Sequence, residues 1–163
     1  MTKAELIAAM NENSAALLKV VEGLEESERR MPGAVGQWSV HDVVGHIGYW
    51  DGEALKAFPN FFETGCEPYC FEIKEGELDH WNDRAVQERR AWSWERVLEE
   101  FFTVRGRTMA LLDEINDEDL KREGTYPWSQ VGPLGKLILI DLDHEREHIE
   151  ALRKWRAKIK PGA

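Results

Sequence analysis

Three histidines in this chain are spaced so that a helical bundle could bring them to one point. His144 and His148 are four residues apart in DLDHEREHIEALRKW, just over one helical turn, so both side chains project from one face of a helix. His46 lies far upstream, in SVHDVVGHIGYWD. Apolar residues continue the same steps of three and four around all three, which predicts that the imidazoles point into the bundle. Neutral imidazole is a common zinc ligand, so the pattern indicates a site for one divalent ion.

A polar core without metal is the alternative for the same residues. A buried neutral imidazole needs partners for both ring nitrogens, and hydrogen bonds within the core can supply them as an ion can. A lone inward histidine such as His46 is typical of that arrangement, whereas the paired spacing of His144 and His148 favours metal binding. The sequence predicts the three-histidine metal site and leaves the metal-free core as a second hypothesis.

Four further residues are candidates for the surroundings of the site. Asp141 and Asp143 precede the histidine pair, and a carboxylate that accepts the second ring N–H would orient a ligating imidazole. The sequence does not choose between these two aspartates, and a surface position suits either of them equally. Trp50 and Trp81 are candidate walls for a planar or apolar ligand. No catalytic residue follows from the spacing alone.

Four long helices are predicted to position these residues. They run from Thr2 to Glu25, from the cap Ser39 to near Pro59, from the cap Ser93 to about Ile115, and over 134–158. A short helix is predicted at 78–90, a long crossover over 59–77, and a loop over 124–133, because Pro and Gly interrupt the last two segments. The expected fold is all-α: a four-helix bundle with a long crossover between helices two and three, forming a single domain over residues 1–163.

Charge narrows the classes of partner that we expect. The chain has 31 acidic against 21 basic residues and a formal net charge of -10. Neutralising phosphates requires clustered Lys and Arg, and only the segment 153–160 is basic. The sequence therefore predicts no nucleic-acid partner. A small-molecule substrate is the partner that the aromatic residues and the family resemblance described below imply.

The remaining sequence signals concern location and side-chain roles. No segment approaches the ~20 apolar residues of a membrane span, so no membrane partner is expected. The chain opens with a helix-forming sequence and lacks a secretory leader, which favours a cytoplasmic protein. Cys66 and Cys70 lie in a loop-like CEPYC stretch and are expected to be plain thiols. His41, near the start of helix two, is expected to face solvent.

Several motifs, in this order, give the chain a family resemblance. They are AELIAA at the start, WSVHDVVGHI in helix two, WNDR at 81–84, SWERVLEEF at 93–101, and HEREH followed by WR in the last helix. With them the chain resembles the DinB-like superfamily of DinB/YfiT-like metalloenzymes, near the branch that contains the DfsB and ClbS proteins. The resemblance covers nearly the whole sequence.

That resemblance implies a fold, a site and a class of activity. Typical members are four-helix bundles, often homodimers, with a three-histidine site for a divalent ion such as zinc or nickel, and His46, His144 and His148 match those positions. Relatives transfer or isomerise through low-molecular-weight thiols, or neutralise an electrophilic genotoxin. The implied function is a metal-dependent transferase or hydrolase acting on a reactive small molecule, in detoxification or a stress response, with a low-molecular-weight thiol as a further cofactor.

Two other classes of function remain open at this point. HEREH satisfies the H-E-x-x-H pattern of zinc peptidases, in which Glu145 would be the general base. Only 15 residues follow His148, they contain no clear third ligand, and no convincing strand is predicted for a substrate-binding edge. The other class is a noncatalytic protein that binds a small molecule and protects against it.

Overall fold

The computed structural model describes residues 2–63, 65 and 67–161. This part of the chain contains six α-helices and one short β-hairpin. The helices are α1 (Lys3–Val21), α2 (Glu26–Arg29), α3 (Val40–Ala57), α4 (Leu78–Arg89), α5 (Trp94–Glu114) and α6 (Leu134–Ile159), and the strands are β1 (Glu123–Thr125) and β2 (Val131–Pro133). Single 3₁₀ turns occupy Phe58–Phe61 and Asp119–Lys121. The four long helices α1, α3, α5 and α6 pack as a bundle, so the predicted fold class is confirmed.

The helix that carries His46 begins at a reciprocal cap. The Ser39 hydroxyl accepts a hydrogen bond from the backbone N–H of Asp42 at 3.2 Å, and the Asp42 carboxylate accepts one from the Ser39 N–H at 3.0 Å. This capping box satisfies two backbone donors at the start of α3. Ser93 caps α5 in a similar way, since its hydroxyl accepts from the Arg96 N–H at 3.2 Å. Both caps agree with the sequence prediction.

The first helix ends earlier than the sequence predicts. It stops at Val21 instead of Glu25, and Gly23 has φ = 67°. Glycine adopts this left-handed conformation without the steric penalty of a Cβ atom, so it ends the helix and lets the chain turn. A separate four-residue helix, α2, follows.

The segment predicted as a loop over 124–133 contains the antiparallel pair β1 and β2, which corrects that prediction. Gly124 pairs with Gly132, and close neighbours explain both glycines. A Cβ on Gly124 would lie 2.6 Å from Cδ1 of Phe61, and one on Gly132 would collide with the Tyr126 hydroxyl. This hairpin depends on tertiary contacts. Strands of three residues are too short to show an alternating pattern of apolar and polar residues, so the sequence did not predict them.

The predicted crossover, residues 59–77, connects α3 to α4 and is held against the hairpin. The Asn60 side-chain amide donates to the backbone carbonyls of Tyr69 (3.0 Å) and Thr125 (2.8 Å), and its oxygen accepts from the Tyr69 N–H (2.9 Å). Cys66 lies outside the described residues, while Cys70 is an exposed free thiol. No helix in the described part of the chain is long and apolar enough to cross a membrane.

The core consists of two apolar clusters with polar side chains between them along the bundle. One cluster centres on residues such as Leu112, Leu137 and Leu142, and the other on residues such as Val43, Phe101 and Leu152. Each long helix contributes one buried polar residue at the level between the clusters: Asn13, Asp51, Arg105 and Glu145. We call these four residues the polar layer.

Candidate metal centre

The nitrogen atoms of three histidines meet beside the polar layer. Nε2 of His144 lies 3.0 Å from Nε2 of His46 and 3.0 Å from Nε2 of His148. One ligand nitrogen from each ring lies within 4.8 Å of the other two. His46 comes from α3 and the other two from α6, so packing of these helices brings residues 98 positions apart into contact. We call these residues the histidine cluster.

The geometry of the cluster fits a shared cation better than hydrogen bonds alone. A neutral imidazole nitrogen carries either one proton or one lone pair, so Nε2 of His144 cannot make a good hydrogen bond with both neighbours at 3.0 Å. One ion can take a lone pair from all three rings. Nitrogens bound to a common ion at the usual distance lie about 2.8 to 3.4 Å apart for angles between square and tetrahedral. This range includes the two separations made by His144, while the nitrogens of His46 and His148 lie within 4.8 Å of each other.

Burial keeps the three rings in the form that binds metal. Burial is the main cause of the low pKa of His46, which is about 2, and the neighbouring His144 and His148 lower this pKa further. Burial and His144 lower the pKa of His148 to about 4, and burial lowers the pKa of His144. All three imidazoles are therefore neutral near pH 7, with lone pairs available to a ligand.

At its buried Nδ1 atom the His46 ring has no hydrogen bond among the described residues, and Trp38 packs against the ring. The indole of Trp38 lies against it, with 4.7 Å between ring centroids, and is 6.4 Å from the His148 ring. Ligating histidines usually donate their second N–H to an oxygen, so His46 differs from that pattern.

A cavity of about 470 Å³ opens beside His144. Five apolar side chains form most of its wall: Trp50, Ile73, Leu78, Trp128 and Ile140. Three polar side chains complete it: Asn82, Asp141 and His144. A volume of this size is typical of sites for small organic ligands, and His144 gives such a ligand access to the edge of the histidine cluster.

The four residues expected around the site take different positions. Trp50 and Asp141 line the cavity. Burial, together with the charge of Glu145, raises the pKa of the Asp141 carboxyl well above its ordinary value, against the opposing effect of Arg105. Asp143 is exposed and pairs with Arg146 at 2.8 Å. Trp81 packs against Phe71, with 4.6 Å between ring centroids. Of the two candidate aspartates, the structure brings only Asp141 to the cavity.

Glu145, the general base of the peptidase hypothesis, is engaged elsewhere. Its carboxylate forms an ion pair with Arg105 and accepts a hydrogen bond from Asn13 at 2.8 Å. Arg105 also pairs with Asp51 at 3.2 Å. Glu145 is thus a buried member of the polar layer and lies on a different face of α6 from His144 and His148, so H-E-x-x-H chemistry lacks its base.

Sequence reasoning missed several residues near the site. His41 is buried rather than solvent-facing. The turn between α4 and α5 covers it, and its Nε2 lies 3.1 Å from the Trp92 carbonyl oxygen in that turn. Asn82 lines the cavity, whereas the neighbouring Trp81 was the expected member of that motif. Arg105 lies four residues after Phe101 and three before Thr108 on the buried stripe of α5, a spacing that could have identified it.

Comparison with known proteins gives the family. Residues 9–152 match the sequence model of the DinB superfamily. The chain belongs to this superfamily. The DinB match includes all three members of the histidine cluster and the whole lining of the cavity. No curated protein sequence matches the chain.

Solved structures of similar fold agree with the DinB assignment. YfiT from Bacillus subtilis, described as a probable metal-dependent hydrolase with an unusual four-helix bundle topology, is 20% identical with a TM-score of 0.73, covering 96% of this chain and 87% of that one. The colibactin self-resistance protein ClbS is 20% identical with a TM-score of 0.74 and 94% coverage of both chains. A mycothiol-dependent maleylpyruvate isomerase is 10% identical with a TM-score of 0.73, covering 93% of this chain and 61% of that one.

One of these structures corrects an expectation about partners. ClbS was crystallised in complex with double-stranded DNA. The prediction that this DinB-superfamily chain has no nucleic-acid partner, which was based on its net charge, was therefore wrong. The physical reason is that net charge sums over the whole surface, whereas contact with DNA depends on how charges and donors are arranged locally.

Proposed function

We propose that this protein is a metal-dependent enzyme that acts on a small, largely apolar molecule, with His46, His144 and His148 as the ligands of a zinc or nickel ion. The observation that carries the proposal is the convergence of three neutral Nε2 atoms beside a cavity that His144 itself lines. Hydrolysis and transfer to a low-molecular-weight thiol are the two reactions that suit this site.

Three protein ligands leave a coordination position open. Held by these three histidines, a zinc or nickel ion would lower the pKa of a bound water or thiol and supply a Lewis acid toward a carbonyl or strained ring. The protein contributes the neutral nitrogens and the largely apolar cavity wall beside His144. Closed structural sites use four protein ligands, so a three-histidine set favours catalysis over a purely structural role.

The apolar wall determines what can enter the site. Trp50 and Trp128 meet edge to face, with 6.5 Å between ring centroids, and Ile73, Leu78 and Ile140 complete the apolar lining. Burying apolar substrate surface against these side chains supplies binding free energy and removes water from around His144. Ile73 comes from the crossover, so this segment forms part of the wall.

Known proteins of the same fold support this reaction class. The description of YfiT as a probable metal-dependent hydrolase and the mycothiol dependence of the maleylpyruvate isomerase correspond to the two reactions suggested here. The low sequence identities mean that neither substrate transfers to this chain. The proposal depends on this chain's own histidines and cavity.

The proposal is tested by metal content. The protein is purified without a histidine tag, and its metals are measured by elemental mass spectrometry, together with the double variant His144→Ala/His148→Ala. The matched control is His80→Ala, which removes an exposed histidine of α4. We expect about one zinc or nickel ion per chain in the wild-type protein and in the control, and none in the double variant.

Either of two results would overturn the proposal. One is the absence of stoichiometric metal in the wild-type protein after reconstitution with zinc and with nickel. The other is equal metal content in the wild-type protein and the double variant, which would place the ion away from the histidine cluster. Metal-loaded protein is then screened for hydrolysis of activated esters and for thiol addition to electrophiles, and His46→Ala is expected to abolish either activity.

A further inference from the structure

One polar group on the cavity wall has its orientation fixed by a tryptophan. The indole Nε1 of Trp50 donates a hydrogen bond to Oδ1 of Asn82 at 2.9 Å. An indole nitrogen can only donate, so the amide of Asn82 must turn its oxygen toward Trp50. The amide nitrogen Nδ2, with its two N–H donors, then lies on the side of the amide away from Trp50 and can donate to a ligand.

The surroundings of Asn82 indicate what that donor can recognise. Asn82 and Trp50 line the same cavity as His144. Among the described residues no lysine or arginine lines this cavity, so away from the ion proposed at the histidine cluster a phosphate or another strongly anionic group would lose its hydration without a counter-charge. A neutral oxygen acceptor on an otherwise apolar molecule satisfies the Asn82 donor and suits the five apolar wall residues.

We propose that Asn82 is a substrate-binding residue that donates from Nδ2 to a carbonyl oxygen, and that the substrates are uncharged carbonyl compounds of mainly apolar character. Trp50 is the positioning residue, because it holds the amide in the orientation that presents the donor. The proposal rests on the proposed function, since it assigns the substrate class of the same site.

A matched pair of probes tests the assignment. 1-Acetylnaphthalene and 1-ethylnaphthalene differ by a carbonyl group in place of a methylene, so the ratio of their dissociation constants isolates the contribution of the oxygen. Both constants are measured by ligand-observed NMR on metal-loaded protein. We expect the ketone to bind wild-type protein about 3- to 10-fold more tightly, the effect of one neutral hydrogen bond.

Four variants test whether the preference for the ketone depends on the amide nitrogen of Asn82. Asn82→Asp keeps the shape and the acceptor for Trp50 but loses the N–H donors, and Asn82→Leu removes the polar group altogether. Neither variant is expected to prefer the ketone, because neither presents an N–H donor to its oxygen. Trp50→Phe keeps a smaller aromatic wall but loses the N–H that orients Asn82, so its ketone preference falls between those of the wild type and the Asn82 variants. Asp83→Asn, at the next and exposed position of α4, is the control and retains the full preference.

The outcomes separate this inference from the proposed function. A ketone preference that survives both Asn82 variants, or failure of both probes to bind wild-type protein, would overturn the assignment of Asn82. Metal content is measured on the same samples and is expected to be equal in all of them, because Asn82 is not a ligand. Loss of the ketone preference with metal retained supports the assignment, whereas wild-type protein that holds no metal overturns the proposed function itself.

Discussion

Arg105 and Glu145 form an ion pair in the middle of the bundle, with 6% and 2% of their side-chain surfaces exposed. Glu145 is the next residue after His144 but projects from a different face of α6, since successive residues on a helix are separated by about 100°. The pair links α5 to α6, and its hydrogen bonds to Asn13 and Asp51 extend the link to α1 and α3.

Removing the cation of this pair should destabilise the protein strongly. Arg105→Met leaves the carboxylate of Glu145 buried without its cationic partner and removes a hydrogen-bond donor from Asp51, and loss of a buried partner of this kind typically costs about 3 to 5 kcal/mol. The measurement is the free energy of unfolding from urea titration. Arg146→Met is the control: its ion pair with Asp143 is largely exposed, and pairs of this kind contribute at most about 1 kcal/mol. Equal costs for the two variants would contradict the prediction.

Stability should depend on pH through Asp51. Burial and the charge of Glu145 raise the pKa of Asp51 well above its ordinary value, and Arg105 opposes this only in part. The folded protein therefore keeps a proton that the unfolded chain releases near pH 4, so the free energy of unfolding falls as pH rises from about 4 toward the folded-state pKa. Asp51→Asn does not titrate and is expected to gain stability relative to the wild type across that interval.

Urea unfolding at a series of pH values between about 4 and 8 measures this difference. Asp143→Asn, which neutralises an exposed carboxylate of the same type, is the matched control for the loss of one negative charge. A constant offset for Asp51→Asn over the whole range would mean that the pKa of Asp51 is the same in the folded protein as in the unfolded chain, which would contradict the prediction.

The hairpin should tolerate no side chain at Gly124. A Cβ there would lie 2.6 to 2.9 Å from three ring atoms of Phe61, so Gly124→Ala is expected to cost about 1 to 3 kcal/mol through overpacking. Gly106, exposed in α5, has no neighbour within 4 Å of an added Cβ. Gly106→Ala should therefore stabilise the protein by about 0.5 to 1 kcal/mol. Thermal unfolding of the two variants should show shifts of opposite sign.

Metal binding, as proposed, should raise the stability of the folded protein. Zinc at 100 to 1,000 times its dissociation constant adds about 3 to 4 kcal/mol to the free energy of unfolding, provided that the unfolded chain does not bind it. His46→Ala should lose this gain, while His80→Ala should keep it. Differential scanning calorimetry with zinc, and again with a chelator, measures the change. A zinc response in His46→Ala equal to that of the wild type would contradict the ligand assignment.

The main helices and the convergence of the histidines could be predicted because both depend on helical periodicity. His144 and His148 are related by one turn of α6, and the apolar stripe around them shows that they face inward. His46 lies on a similar stripe in α3. Two inward faces in a bundle of four long helices meet in the core, so residues far apart in sequence could be expected near each other.

Features that depend on contacts between distant segments could not be predicted in the same way. His41 is buried because the turn after α4 covers the start of α3, through a contact between residues 51 positions apart. Asn82 and Trp81 are adjacent in a short helix with few apolar residues, so periodicity does not show which one faces the cavity. Neither β1 nor β2 has a pattern of its own, and both depend on Phe61 and Tyr126.

The polar layer also sets the axial alignment of the bundle. Sliding any long helix by one turn, about 5.4 Å, would move a charged or amide side chain into an apolar cluster and leave its partners unpaired. His46 lies five residues before Asp51 on α3, and His144 directly precedes Glu145 on α6. The alignment that pairs Arg105 with Asp51 and Glu145 thus also brings the histidine nitrogens to a common height. Residues that do not line the cluster therefore determine where it forms.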